Sequence, residues 1–131
     1  MQIFLALALA SVPQASVNVT AEAIIQECWK GNSHPEMSIC VRNRTNDATS
    51  ELSKVEGEIR RSIDQSGSKE LARQFQASSE AFQSYLHSQC LYQETLASPG
   101  NGASDIRRAC EAALVSNRTQ QLVASRSWLN K

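Results

Sequence analysis

Cys28, Cys40, Cys90 and Cys110 are the residues of this 131-residue chain whose type and spacing could do chemistry. An even number of thiols in a short chain, behind an apolar N-terminal run, is the pattern of an oxidising compartment. There, paired cysteines persist as disulfides and their cross-links support a small core. Structural zinc is the competing chemistry, and it needs Cys or His pairs about two to four residues apart. The nearest two cysteines, Cys28 and Cys40, have the eleven residues 29–39 between them, so disulfides are expected and a metal site is not.

The remaining reactive side chains form no constellation. His34 precedes a helix and His87 lies within one, and neither has a second ligand at His-x-x-x-His or Glu-x-x-His spacing. His87 is expected on the flank of the core. No Gly-x-Ser-x-Gly elbow occurs, and Ser53 and Ser66 read as helix-surface and turn residues. Gly100-Asn101-Gly102 lacks the preceding strand and the third glycine of a dinucleotide loop. No catalytic residue and no cofactor is therefore expected, and the chain does not read as an enzyme.

Thirteen basic and thirteen acidic side chains balance. Phosphate backbones and anionic lipids both select for clustered excess Lys and Arg, so neither nucleic acid nor a charged membrane surface is an expected partner. Residues 1–15 read as a signal peptide: Ile3 to Ala10 is apolar but too short to span a bilayer, and cleavage is expected after Ala10 or Ala15. Ala8-Leu9-Ala10 supplies the small-x-small pattern, and no cysteine follows that could carry a lipid anchor. Residues 16–131 then form one domain, periplasmic or secreted. Asn18, Asn43 and Asn117 each begin an Asn-x-Thr triplet, relevant only in a eukaryotic secretory route.

Helical periodicity must position the cysteines. Thr20 can cap a short helix through Ile24, Ile25 and Cys28 that stops at Gly31. Ser33-His34-Pro35-Glu36 is a capping box opening a second helix. Along it Val41, Thr45, Ala48, Leu52, Val55, Ile59 and Ile63 recur at intervals of four and three, which places them on one buried stripe. After the turn residues Asp64 to Ser68, the same rhythm continues through Leu71, Phe75, Ser78, Phe82, Tyr85 or Leu86, and Gln89 on a third helix. Ser98-Pro99-Gly100-Asn101-Gly102 breaks the chain again before Ile106, Cys110, Leu114, Leu122 and Val123 define a fourth. The expected fold is all-α, an antiparallel bundle of three to four helices stapled by two disulfides at one end, with the second and third helices packed directly on each other.

Reflecting the chain about its three turns brings all four cysteines to one pole. Three pairings remain open. Cys40–Cys90 with Cys28–Cys110 is the favoured one, because it ties the outer helices to the central hairpin and closes the longest loop. Residues Leu96 to Ser104 are the expected protruding element at that pole, where loops commonly carry recognition.

Assembled in order, the pattern resembles the lysozyme inhibitor LprI-like family of exported bacterial proteins over Cys28 to Leu122. The resemblance rests on Glu36-Met37-Ser38-Ile39-Cys40, on the helix from Gln74 through Phe82 and Tyr85 to Cys90, and on Arg107-Arg108-Ala109-Cys110 leading to Arg118 and Leu122. The chain departs from the family where Phe82 replaces a frequent Trp and where Leu86-His87-Ser88-Gln89 replaces an Arg-Asp before the third cysteine. The resemblance implies a helical, disulfide-bonded, exported protein and, for some relatives, inhibition of lysozyme. It carries over no contact residues. The expected function is non-enzymatic binding, with lysozyme or another peptidoglycan hydrolase as the protein partner. Two alternatives are a periplasmic immunity protein against a peptidoglycan amidase effector and a carrier of small apolar ligands. Insect odorant-binding proteins are such carriers, but their cysteine spacing is absent here.

Overall fold

Short polar caps and glycine stops divide the chain into four helices. In the computed structural model, which describes residues 18–130, these are α1 (Ala21–Trp29), α2 (His34–Ser66), α3 (Lys69–Ala97) and α4 (Ala103–Ser125), followed by a 3-10 helix over Arg126–Asn130. The expected leader, with cleavage after Ala10 or Ala15, lies outside the described residues. Among the described residues no helix is long and apolar enough to cross a membrane.

Each boundary has a local cause. The Thr20 hydroxyl accepts the Ala23 amide and starts α1. Ser33 and Glu36 complete the capping box of α2, with Pro35 in the first turn where a missing N–H costs nothing. With 33 residues at about 1.5 Å each, α2 is a rod of roughly 50 Å. It ends at Gly67, whose φ of 72° lies in the left-handed region that a Cβ disfavours. Ser68 then caps α3 through the Leu71 amide.

The capping box makes a pH-dependent contact. The Ser33 hydroxyl, 2.7 Å from Glu36 Oε1, and then the Ser33 amide hold the Glu36 carboxyl below its ordinary value. That contribution is complete above the unfolded-chain pKa of about 4.3 and is lost as pH falls through the lowered folded value. An NMR titration of Glu36 is expected to show the lowered midpoint, and Ser33→Ala to raise it part of the way toward that of an exposed glutamate, since the amide hydrogen bond remains.

The core is organised around α4. Leu52, Val55, Ile59 and Ile63 of α2 bury against Val115 and Leu122 of α4, with Leu71, Phe75, Phe82 and Leu86 of α3 closing the cluster. Nearer the other end, Ile24 and Cys28 of α1 and Met37 and Val41 of α2 bury against Ala109, Ala112 and Ala113 of α4. The α2 stripe read from periodicity is the buried one from Val41 to Ile63, with Thr45 and Ala48 half-buried. α2 and α3 touch each other sparingly, whereas both pack along α4. The two helices run antiparallel and share one apolar cluster as expected, but α4 takes the larger part of the packing of each. Their polar link is Glu56, which accepts from Ser79 Oγ at 3.2 Å and from its own helix neighbour Arg60 at 3.1 Å. On α3 the register also shifts: Ser79 is buried in place of Ser78, and Leu86 turns inward while Tyr85 faces solvent.

Polar ties fix the directions. Asn117 donates to the Val19 carbonyl and accepts the Val19 amide, pinning the chain before α1 to α4. Arg44 pairs with Glu27 across α1 and α2, and Arg126 with Glu58 at 2.7 Å across the C-terminal segment and α2. Thr45 Oγ1 lies 2.9 Å from both the Val41 and the Arg108 carbonyl oxygens. These contacts make α2 and α4 parallel to each other and antiparallel to α1 and α3.

The disulfides are Cys28–Cys40 and Cys90–Cys110, with Cα separations of 5.6 and 5.5 Å. The favoured pairing of Cys40 with Cys90 and Cys28 with Cys110 is thus corrected. At this height the apolar cluster joins α1, α2 and α4 without any α3 side chain, so Cys40 and Cys90 sit on helices that do not meet there. Loop-closure entropy gains only about 0.6 kcal/mol per doubling of loop length. Helix adjacency therefore decides the pairing, and each bridge spans one inter-helix connection. Both bridges do lie at one end of the bundle, opposite the α2–α3 turn.

Candidate functional site

A helix face turned to solvent is ordinarily strewn with charge, and α2 obeys: Arg42, Arg44, Asp47, Glu51, Lys54, Arg61 and Asp64 are all exposed. α3 does not. From Ala81 through Gln93 it carries no Asp, Glu, Lys or Arg, and between Glu80 and Asp105 the sole such side chain is Glu94. Glu94 is itself occupied, facing Arg107 of α4 at 3.7 Å.

The uncharged stretch is not inward-facing. Tyr85, Tyr92 and Leu96 recur at intervals of seven and four, so they share one side of α3. Tyr92 is 58 % exposed and Leu96 67 % exposed, with Leu91 adjacent. His87, expected on the core flank, is exposed on this helix as well. Such a row of solvated tyrosine and leucine with charge depleted around it is the composition of a protein-binding surface.

The row runs directly into the connection Ser98-Pro99-Gly100-Asn101-Gly102, which the structure places at the disulfide end as expected. Backbone hydrogen bonds knit it: Gly100 N–H donates to the Ala97 carbonyl at 2.9 Å, and Ala103 N–H to the Gly100 carbonyl at 3.3 Å. A Cβ at Gly100 would lie 2.8 Å from the Ala97 carbonyl oxygen, closer than side chains approach, so the tight turn needs glycine there. Past the loop, Asn101 and Gly102 join Trp29, His34, Met37 and Ile106 around a shallow apolar recess of about 260 Å³. The Trp29 and His34 rings stand 5.7 Å apart at its rim.

This end is held rigid from beneath. Cys90–Cys110 clamps α3 to α4 in the middle of the tyrosine row, and Cys28–Cys40 clamps α1 to α2 below Trp29. The buried Asp105 carboxylate, 3 % exposed, accepts from Ser38 Oγ at 2.9 Å and faces His34 Nε2 at 3.6 Å and Arg108 at 3.8 Å. In the first turn of α4, it also lies where a negative charge favours the helix dipole. Asp105 fastens this end from beneath and also lines the recess beside Trp29 and His34.

All four cysteines are consumed in bridges, and among the described residues no group of His, Cys, Asp and Glu is arranged to hold a metal ion. The open groove between α2 and α3 is polar, but its Glu56, Arg60 and Ser79 satisfy one another. Sequence reasoning located the loop and the cysteines but missed Tyr92 and Leu91 and left open whether Tyr85 or Leu86 faces the core. The overlooked signal was the missing charge from Ala81 to Gln93, which periodicity alone does not register.

Comparison with protein-family models matches residues 28–122 to the family described as Lysozyme inhibitor LprI. No curated protein and no solved structure matches the chain.

Proposed function

Because the chain belongs to the lysozyme inhibitor LprI family, we propose that it is an exported, non-enzymatic protein that binds and blocks lysozyme or a related peptidoglycan hydrolase. The contact surface is the Tyr85–Tyr92–Leu96 row together with the Ser98–Gly102 loop. The observation that carries the surface assignment is the exposed, charge-free aromatic face of α3, pinned at its centre by Cys90–Cys110. Tyrosine supplies large contact area at small entropic cost, and Ser, Gly and Asn supply adaptable hydrogen bonds, a mixture that recognition surfaces favour. A bridge-stiffened surface also loses little freedom on binding. The paired cysteines suit a periplasmic or secreted location, where thiols stay oxidised.

The test is lysis of bacterial cell walls by a panel of lysozymes and a peptidoglycan amidase, with and without the oxidised protein. Inhibition of a lysozyme at micromolar concentration is expected. Combining Tyr92→Glu with Leu96→Glu should weaken it roughly 30-fold, the loss of about 2 kcal/mol typical of a buried interface anchor. Val123→Glu, an exposed change toward the other end, should leave it unchanged. No inhibition of any lysozyme by the native protein would refute the reading, and full potency in the Tyr92/Leu96 variant would refute the surface.

A further inference from the structure

The end of the bundle opposite the disulfides holds a half-open cleft of about 380 Å³. Ile59 and Ile63 of α2, Leu71 and Phe75 of α3, and Leu122 of α4 form its walls, and Trp128 and Leu129 of the C-terminal 3-10 helix form its rim. Clefts that take small ligands commonly begin at about 300 Å³. We infer that this cleft is a binding site for an uncharged, medium-length apolar molecule, an aliphatic chain or a fused aromatic.

The absence of charge in the ligand follows from the surroundings. Gln74 and Ser125 are the two polar residues on the lining, and both are engaged within the chain: Gln74 donates to Glu70, and Ser125 Oγ donates to the Leu122 carbonyl. Three arginines near the lining face carboxylates, although Arg126 keeps a buried Nε without a hydrogen-bond partner. Arg60 pairs with Glu56 and lies over the Phe75 ring, Arg73 pairs with Glu70, and Arg126 pairs with Glu58. A carboxylate or phosphate headgroup would have to compete with Glu56, Glu70 and Glu58 for those guanidinium groups and would be desolvated at a cost. The apolar walls recover free energy only from apolar surface. Three helix ends and a separate short helix meet here, so the rim can shift without disturbing the clamped end.

Trp128, 74 % exposed at the rim, is a built-in reporter. The experiment titrates the oxidised Trp29→Phe protein, in which Trp128 is the sole tryptophan, with 1-decanol and in parallel with decanoate. The expected result is a saturable blue shift of Trp128 emission with decanol, at least tenfold tighter than with decanoate. Gln74→Phe, an exposed-helix change that fills the cleft from its rim, should weaken decanol binding at least tenfold while circular dichroism remains unchanged. Calorimetric titration of the unmodified protein supplies a second readout. A linear, non-saturating response, equal affinity for decanoate, or binding undiminished in a folded Gln74→Phe protein each overturns the inference. None of these outcomes depends on hydrolase inhibition, which uses the opposite end.

Discussion

Ala109→Leu is expected to lose about 3 kcal/mol of stability, at the upper end of the usual cost of overpacking a tight core. Ala109 is fully buried, and with Ala112 and Ala113 it forms the small-residue side of α4 on which Ile24, Cys28, Met37 and Val41 are packed. Three added carbons have no void to enter: they must push α1 away or shift α4 against the Thr45 contact with the Arg108 carbonyl. A denaturation midpoint moving down with an unchanged slope is the measurement, since the slope tracks the surface exposed on unfolding. Ala124→Leu, on the exposed side of the same helix, is the control and should change stability little. A midpoint for Ala109→Leu within error of the parent would mean that α4 is not embedded as described.

Removing the second bridge with Cys90→Ser and Cys110→Ser together should cost a similar amount, about 3 kcal/mol for a loop of this length in the chain-entropy account. The sequence separation is 20 residues against 12 for Cys28–Cys40, so the two bridges differ little in that account. Their functional consequences differ more. Cys90–Cys110 lies under the tyrosine row, so its loss should weaken hydrolase inhibition even at temperatures where the variant remains folded. Loss of Cys28–Cys40 should lower the melting temperature with a smaller effect on inhibition. Thermal unfolding and inhibition, measured on both double variants, separate the two roles. Peptide mapping of the oxidised parent should return fragments linked 28 to 40 and 90 to 110.

The parts legible in the sequence are those governed by local rules. The capping box at Ser33 and Glu36 and the four-three stripe of α2 each follow from a few neighbouring residues and stand in the structure as read, and the break read over Asp64 to Ser68 narrows to Gly67, with α2 helical through Ser66. α4 was harder. Its buried side consists of Asp105, Ala109, Ala112 and Ala113 as well as Cys110, Val115 and Leu122, and alanine carries too little hydrophobic contrast to mark a face. A search for large apolar residues instead selects Ile106 and Leu114, which are only half-buried. Missing the small-residue side hid the interposition of α4 between α2 and α3, and the disulfide pairing went wrong for that reason. On α3 the choice between Tyr85 and Leu86 could not be made from spacing, because both complete the rhythm; packing against α4 selects Leu86.

The placement of α4 also orders the events of biosynthesis. α1 to α3 emerge first, yet the walls they require belong to α4, made after them, so a nascent polypeptide that has not reached residue 103 has no closed interior to collapse around. Cys28 and Cys40 can join as soon as their hairpin is exposed to an oxidant, whereas Cys110 arrives too late for any early partner. On the export route proposed above, such lateness would be useful: a chain lacking α4 stays loose during passage and condenses once α4 has followed.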